Sequence, residues 1–304
     1  MKKVDSIDRN IIISLSFIII ILLGLIIFIS YQRSYYFVEN TNEGLVEEEK
    51  KFLHQEEVVI VKSASSTAED IILPIDKVLF EYVEVIDGCG IHFEGECLNV
   101  RSGPGTEFPV VAQLRNHVVL KVGGKVDNEG MVWYKIVFDE WLRYPDRLSG
   151  DWYVASDFVS ILQDEGDRTV WEHEYSTTTK KSITVDRSEQ KLYAFEGDAM
   201  FLELDISTGL ELTPTPRGTF KIFKKTPSRY MQGPLPHLVD QSYYDLPGVP
   251  WNLYFTEGGA VIHGAYWHDS FGSRYSHGCV NVEPGSAKKL YQWADLGTTV
   301  IVKD

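Results

Sequence analysis

Apolar and polar residues alternate along this chain in three distinct ways. Residues 11–30 are almost unbroken in their apolarity. Twenty residues at about 1.5 Å each match a hydrocarbon layer about 30 Å thick, so this run predicts a membrane-spanning helix. From about residue 82 the rhythm becomes short strand-like runs at 110–114, 118–122, 133–137 and 152–158, parted by Gly, Asn and Pro turns. That spacing predicts a small β-barrel. A second series of strands is expected at 183–185, 191–195, 201–206 and 219–223, closed by 300–302. One helical stretch interrupts it. Pro284-Gly285-Ser286 introduces residues 287–296, where Leu290, Trp293, Ala294 and Leu296 share a face, and Gly297 is placed to end it as a C-cap glycine. The expected fold is mainly β: an anchor helix, a small barrel, then a β-rich C-terminal domain with one short helix.

Charge orients this plan. Lys2, Lys3 and Arg9 precede the apolar run, and Arg33 and a glutamate-rich stretch follow it. Basic residues favour the cytoplasmic side, which puts the N-terminus inside and the bulk of the chain outside. The run is longer than a signal-peptide core, and no small-residue cleavage site follows. Residues 1–35 therefore read as a cytoplasmic tip and single-pass anchor, with its helix at about 11–30, and residues 36–81 as an acidic linker. The 304 residues carry a net charge of −15, which argues against nucleic acid as a partner. A hydrophobic content of 44% is ample for packed cores.

The three cysteines divide two and one. Cys89 and Cys97 lie close enough to close a small loop as a disulfide outside the cytoplasm; two free thiols remain the alternative. Cys279 stands in Ser276-His277-Gly278-Cys279-Val280-Asn281, with His263-Gly264 a short way upstream. A thiol with a pKa of about 8.5 is mostly protonated at neutral pH, and a neighbouring base makes it a nucleophile. Glycine lets a substrate carbonyl approach the backbone, so the N–H groups of His277, Gly278 and Cys279 are candidates to receive an oxyanion. One cysteine with scattered histidines (His263, His268, His277) lacks the paired spacing of a zinc site, so no metal and no other cofactor is expected.

These motifs resemble the signature of L,D-transpeptidases with a YkuD-type catalytic domain. The resemblance covers about residues 180–304. It begins at Ser182-Ile183-Thr184-Val185-Asp186 and Lys191-Leu192-Tyr193. It continues through Ser207-Thr208-Gly209, Thr215-Pro216-Arg217-Gly218-Thr219-Phe220 and Pro250-Trp251-Asn252-Leu253-Tyr254. Residues 82–162 resemble bacterial SH3-type domains, through Leu98-Asn99-Val100-Arg101-Ser102-Gly103-Pro104-Gly105, Trp133-Tyr134-Lys135-Ile136 and Trp152-Tyr153-Val154-Ala155-Ser156. Such a barrel either binds cell-wall peptides or spaces the enzyme. Its stretch 138–151 is longer than the resemblance leads one to expect and predicts an extended loop or hairpin.

The resemblance implies Cys279 as nucleophile and His263 as base, oriented by the carbonyl of Gly264 rather than by an acid such as Asp269. His277 would shape the site or contact substrate. Gly264, Gly278 and Ser276 would serve orientation and the oxyanion, while Tyr254 and Asn281 would face substrate, Asn281 also bracing the loop. Residues 233–250 would form a loop over the cleft or an ordinary surface loop. The implied substrate is the peptidoglycan stem tetrapeptide, attacked before its terminal D-Ala, with transfer to an amine of another stem as a 3→3 cross-link. Two alternatives stand beside this. One is a cysteine-dependent wall carboxypeptidase or endopeptidase that uses water; the other is a non-catalytic wall-binding protein.

Overall fold

The computed structural model describes residues 78–170, 180–234 and 243–304. The expected anchor and nearly all of the acidic linker lie outside the described residues. Among the described residues, no helix is long and apolar enough to cross a membrane.

Seven strands build the N-terminal part: β1 (Phe80–Val85), β2 (Leu98–Arg101), β3 (Val110–Leu114), β4 (Val119–Asn128), β5 (Met131–Ile136), β6 (Trp152–Ala155) and β7 (Val159–Asp164). They form one sheet in the order β3-β2-β6-β5-β4-β1-β7. Alternation turns Val83, Val85, Val100, Leu114, Leu120 and Val154 inward, and all are buried. The pattern of the sequence did not reveal β1 and β7. They pair antiparallel over six positions, from Phe80↔Asp164 to Val85↔Val159, two residues beyond the expected span at each end. Glu81 and Glu84 break the apolar signal of β1. A disulfide joins Cys89 and Cys97, and Cys279 is free.

The C-terminal part contains β8 (Arg168–Thr169), β9 (Lys181–Asp186), β10 (Lys191–Glu196), β11 (Ala199–Asp205), β12 (Gly218–Lys221), β13 (Lys224–Pro234), β14 (Tyr243–Tyr254), β15 (Val261–Gly264), β16 (Val280–Val282), helix α1 (Pro284–Trp293) and β17 (Thr299–Lys303). Two five-stranded sheets result, β11-β10-β9-β17-β12 and β16-β15-β14-β13-β8. Ile183, Val185, Leu192 and Val300 from the first join Leu253, Ile262, Val280 and Val282 from the second in one core, together with Leu290 of the helix. Fully burying each such side chain contributes about 1.5–3 kcal/mol.

Two sequence expectations need correction. Most of the described part of 233–250 is strand rather than loop, because β13 and β14 pair from Lys224↔Tyr254 to Pro234↔Tyr243. Pro247 misleads because it falls in a bulge, while Pro234 and Pro250 pair with Tyr243 and Ser228 in the ladder. The register shifts between Arg229 and Met231, and Gly248 turns there with φ +62°. The helix also begins earlier than expected. Glu283 caps it by accepting from the N–H groups of Gly285 (2.8 Å) and Ser286 (2.7 Å), with Pro284 in the first turn. It ends at Trp293, so Gly297, with φ +87°, shapes the following turn instead of capping.

The two parts share their cores. Tyr82 and Val119 of the barrel belong to the C-terminal cluster, and Val249 and Tyr266 belong to the barrel cluster. At Gly248 a Cβ would meet the Val119 carbonyl oxygen at 2.5 Å, so only glycine lets the β14 bulge lie against β4. The described residues all belong to one compact unit.

Candidate active site

Strand register assembles the motif residues. β15 and β16 run parallel, with Ile262 opposite Val280 and His263 opposite Asn281. Cys279 immediately precedes β16, so the alternation of side chains puts Cys279 and Asn281 on the face that carries Val261 and His263. β14 continues the row, since Tyr254 pairs with Val261. Tyr254, Val261 and Cys279 thus line up across three strands, with His263 and Asn281 one step along.

His263 is 2% exposed, and its Nδ1 lies 3.1 Å from the Gly264 carbonyl oxygen. Nδ1 therefore carries the proton, and Nε2 keeps its lone pair. Burial pushes the imidazole pKa down to about 4, against a smaller upward pull from the Gly264 carbonyl. The ring is neutral near pH 7 and able to accept a proton. Gly264 is needed for close packing, because a Cβ there would lie 2.9 Å from Pro250 Cγ.

Cys279 retains part of its surface, and its Sγ lies 3.9 Å from the Gly259 carbonyl oxygen. Among the described residues no hydrogen bond joins it to His263 in this rotamer. Burial raises the thiol pKa, and the Val261 backbone lowers it less. The Cys279 carbonyl is held by two hydroxyls, Ser276 Oγ at 2.6 Å and Thr215 Oγ1 at 3.1 Å. Ser276 Oγ in turn accepts from the Gly278 N–H at 3.1 Å. Of the three N–H groups considered for an oxyanion, that of Gly278 is already committed, which leaves those of His277 and Cys279. Gly278 adopts φ +122°, a region that side chains avoid, although the nearest atom to a Cβ would be 3.8 Å away. Conformation rather than space requires glycine here. His277 is exposed, while Ser276 is buried.

Asn281 is 2% exposed, and its backbone pairs with Ser207 in both directions at 2.9 Å. Its side-chain amide lies 2.8 Å from Nε2 of His268. The amide atom facing that nitrogen is Nδ2, and His268 Nδ1 accepts from the Ser270 N–H at 3.2 Å. His268 is itself buried, which lowers its pKa to about 4, and it stacks on Tyr275 at 4.2 Å. The carboxylate of Asp269 faces His92 at 3.2 Å, away from His263. Tyr254 is half-buried, and burial raises its phenol to about 12; Arg229 pulls the other way, and the field of Cys279 adds a little.

Sequence reasoning passed over His268 and Thr215 as site residues. His268 had been weighed only as a stray metal ligand, and Thr215 only as part of the Thr-Pro-Arg-Gly motif. Thr215 reaches the site through the Cys279 carbonyl and His268 through the Asn281 amide, while the backbone of Ser207-Thr208-Gly209 bonds to Asn281, Tyr275 and Ser276 and ties the early motif to the late one. Among the described residues, no group of three His, Cys, Asp or Glu side chains is arranged to hold a metal ion.

A thiol, a neutral imidazole with a fixed tautomer and a row of backbone donors form an arrangement suited to acyl transfer. Comparison with known families agrees. Residues 180–302 match YkuD, the L,D-transpeptidase catalytic domain, and residues 97–160 match the bacterial SH3 domain family SH3_3. The chain thus carries an L,D-transpeptidase-type catalytic domain behind a bacterial SH3 domain. It is similar to the crystal structure of an L,D-transpeptidase mutant from Enterococcus faecium, with 29% identity, covering 41% of this chain and 50% of that one at a TM-score of 0.37. The chain thus spans about half the length of that protein. The NMR structure of the catalytic domain of the E. faecium L,D-transpeptidase acylated by ertapenem is 28% identical, covering 42% of this chain and 100% of that one at 0.36. An L,D-transpeptidase from Mycobacterium smegmatis is 21% identical, covering 60% and 93% at 0.40. No match was found among curated proteins.

Proposed function

We propose that this chain is a peptidoglycan L,D-transpeptidase. The observation that carries the reading is His263, buried and neutral with its Nδ1 tied to the Gly264 carbonyl, on the same sheet face as Cys279. The Cys279 thiol gives its proton to His263 Nε2 as sulfur attacks the carbonyl before the terminal D-Ala of a stem tetrapeptide. The tetrahedral oxyanion is received by the backbone N–H groups of His277 and Cys279. The C–N bond then breaks, His263 returns the proton to the departing D-Ala amine, and a thioester remains. An amine of a second stem attacks the thioester, His263 takes its proton, and the thiol is restored with a 3→3 cross-link formed. His277, exposed at the motif, contacts substrate, and Tyr254 walls the donor side.

External placement fits this substrate. A disulfide at Cys89–Cys97 suits an oxidising compartment, and residues 11–30 would tether the enzyme with its catalytic domain outside the cell membrane. The test is mass spectrometry of the full-length chain, first with a carbapenem and then with disaccharide tetrapeptides. A carbapenem adduct on Cys279 and cross-linked dimers are expected. Free D-Ala without dimers would make the enzyme a hydrolase, and an unmodified Cys279 with neither product would refute an acyl-transfer role.

A further inference from the structure

The carbonyl of Cys279 itself is held from outside its own turn. A carbonyl oxygen offers two lone pairs. At Cys279 one takes the Ser276 hydroxyl at 2.6 Å and the other the Thr215 hydroxyl at 3.1 Å. Each hydroxyl also accepts a backbone N–H: Ser276 from Gly278 at 3.1 Å, and Thr215 from Gly209 at 2.9 Å. The two clamps differ in reach. Ser276 and Cys279 belong to one turn, so the bond between them shapes the turn without anchoring it. Thr215 is fully buried and lies 64 residues away along the chain.

The segment that carries Thr215 is braced on both sides. At Gly209 a Cβ would run into the Thr213 carbonyl oxygen and lie 2.7 Å from the Thr215 nitrogen, so the chain folds back through a space that only glycine fits. Arg187 Nη1 donates to the Thr215 carbonyl at 2.9 Å. Gln190, also buried, donates from Nε2 to the Arg187 carbonyl at 2.6 Å and to the Thr208 hydroxyl at 2.7 Å, and its Oε1 accepts from the Thr208 N–H at 2.8 Å. The Thr208 carbonyl in turn accepts from the Tyr275 and Ser276 N–H groups at 3.0 and 3.1 Å, and the Leu210 N–H donates to the Ser276 carbonyl at 2.9 Å. The nucleophile's turn is thus tied to this frame at its entry, Tyr275-Ser276, and through Thr215 at its exit, Cys279. His277 and Gly278 lie between the two ties.

We propose that Thr215 is a positioning residue of the acyl transfer: its hydroxyl anchors the Cys279 carbonyl and so aims Sγ and the Cys279 N–H at the substrate carbonyl. The proposal rests on the transpeptidase reading above. Fixing the carbonyl fixes the rotation of Cys279 about its own backbone, and with it the direction in which Sγ leaves. A reacting group misplaced by about 1 Å can lose about a hundredfold in rate, so such a bond acts on bond formation. Thr215 is buried and works through Cys279, so substrate affinity is untouched.

The experiment compares the full-length wild type, Thr215→Val, which keeps the shape and loses the hydroxyl, and Thr215→Ser, which keeps the hydroxyl. Acylation by a carbapenem is followed to saturation. Thr215→Val should lower the limiting acylation rate about tenfold, the equivalent of one hydrogen bond to a buried carbonyl, with the half-saturating concentration within about twofold. Thr215→Ser should restore the rate to within about threefold. A carbonyl-13C cysteine and 15N valine label reports the bond directly, because Cys279 is the only cysteine followed by valine. Its single carbonyl signal should move upfield in Thr215→Val and return in Thr215→Ser. Should Thr215→Val not fold in urea titration, Thr215→Cys, a weaker donor at the same place, should show a smaller loss in the same direction, its adducts assigned by peptide mapping. A wild type that is never acylated sinks the transpeptidase reading itself. If the wild type is acylated and the hydroxyl-deficient variant keeps its limiting rate, or if Thr215→Ser is as slow as Thr215→Val, the hydroxyl does not position the nucleophile.

Discussion

Replacing His263 with Ala tests how the thiol is activated. Burial holds the His263 imidazole at about 4 and lifts the Cys279 thiol above its ordinary value. At pH 7 an imidazole of that pKa is protonated about once in a thousand molecules, and a thiol raised above its ordinary value is almost wholly protonated. The resting pair is therefore thiol and neutral imidazole, not thiolate and imidazolium. Proton removal must accompany attack, and acylation by the wild type should be level from about pH 5 to about pH 8, with no acid limb near 6.5. Without the base, acylation at pH 7 should fall by about 10²–10⁴. The deficit should shrink about tenfold per pH unit as thiolate forms unaided. Stopped-flow loss of carbapenem absorbance measures both profiles. A wild-type acid limb with a midpoint between about 6 and 7, or iodoacetamide alkylation that is already maximal at pH 6, would mean a preformed ion pair and refute this reasoning.

Other outcomes follow from the same structure. Gly278→Ala forces a side chain into φ +122° and should cost about 1–3 kcal/mol in urea unfolding, with slower labelling of Cys279. His263 and His268 have folded pKa values of about 4 against 6.5 unfolded, so the unfolded chain binds more protons between those values. Stability should be complete above pH 6.5 and fall by about 3 kcal/mol per histidine as pH drops to 4; a His268→Gln variant with an unchanged acid slope would count against this. Lys225, buried against the Tyr291 and Ala294 carbonyls at the end of α1, has a pKa lowered to about 8. Its folded form loses its proton first, so stability should rise from about pH 8 upward in the wild type but not in Lys225→Met, read below about pH 10, where buried tyrosines begin to oppose it. Replacing Cys89 and Cys97 with Ser should cost about 2–3 kcal/mol, the loop-closure value for nine residues, and leave Cys279 reactive.

What the sequence made legible was local. Strands with clean alternation, such as β3 and β10, and the Cys279 motif could be read directly, because both signals lie in consecutive residues. The exceptions depend on distant partners. β1 is charged at Glu81 and Glu84 and becomes a strand through its ladder with β7, some eighty residues away. The β13–β14 hairpin hides behind prolines, of which Pro247 falls in its bulge while Pro234 and Pro250 keep ladder positions. Thr215 and His268 join the site through the Cys279 carbonyl and the Asn281 amide, and no spacing along the chain announces either contact. The His263–Gly264 contact joins adjacent residues, yet it was anticipated from family resemblance and not from the residues alone.

The Val119 carbonyl, crowded by Gly248 and hydrogen-bonded by Ser228 Oγ, has a consequence for how such a chain can be rebuilt. The barrel and the catalytic part are not beads on a string that can be exchanged between relatives. Cutting between them strips Tyr82 and Val119 from one core and Val249 and Tyr266 from the other, opening two apolar wounds at once. Heating should therefore melt both halves in a single event. A chimera with a foreign barrel would need its own small residue and carbonyl at this seam before its active site could hold its shape.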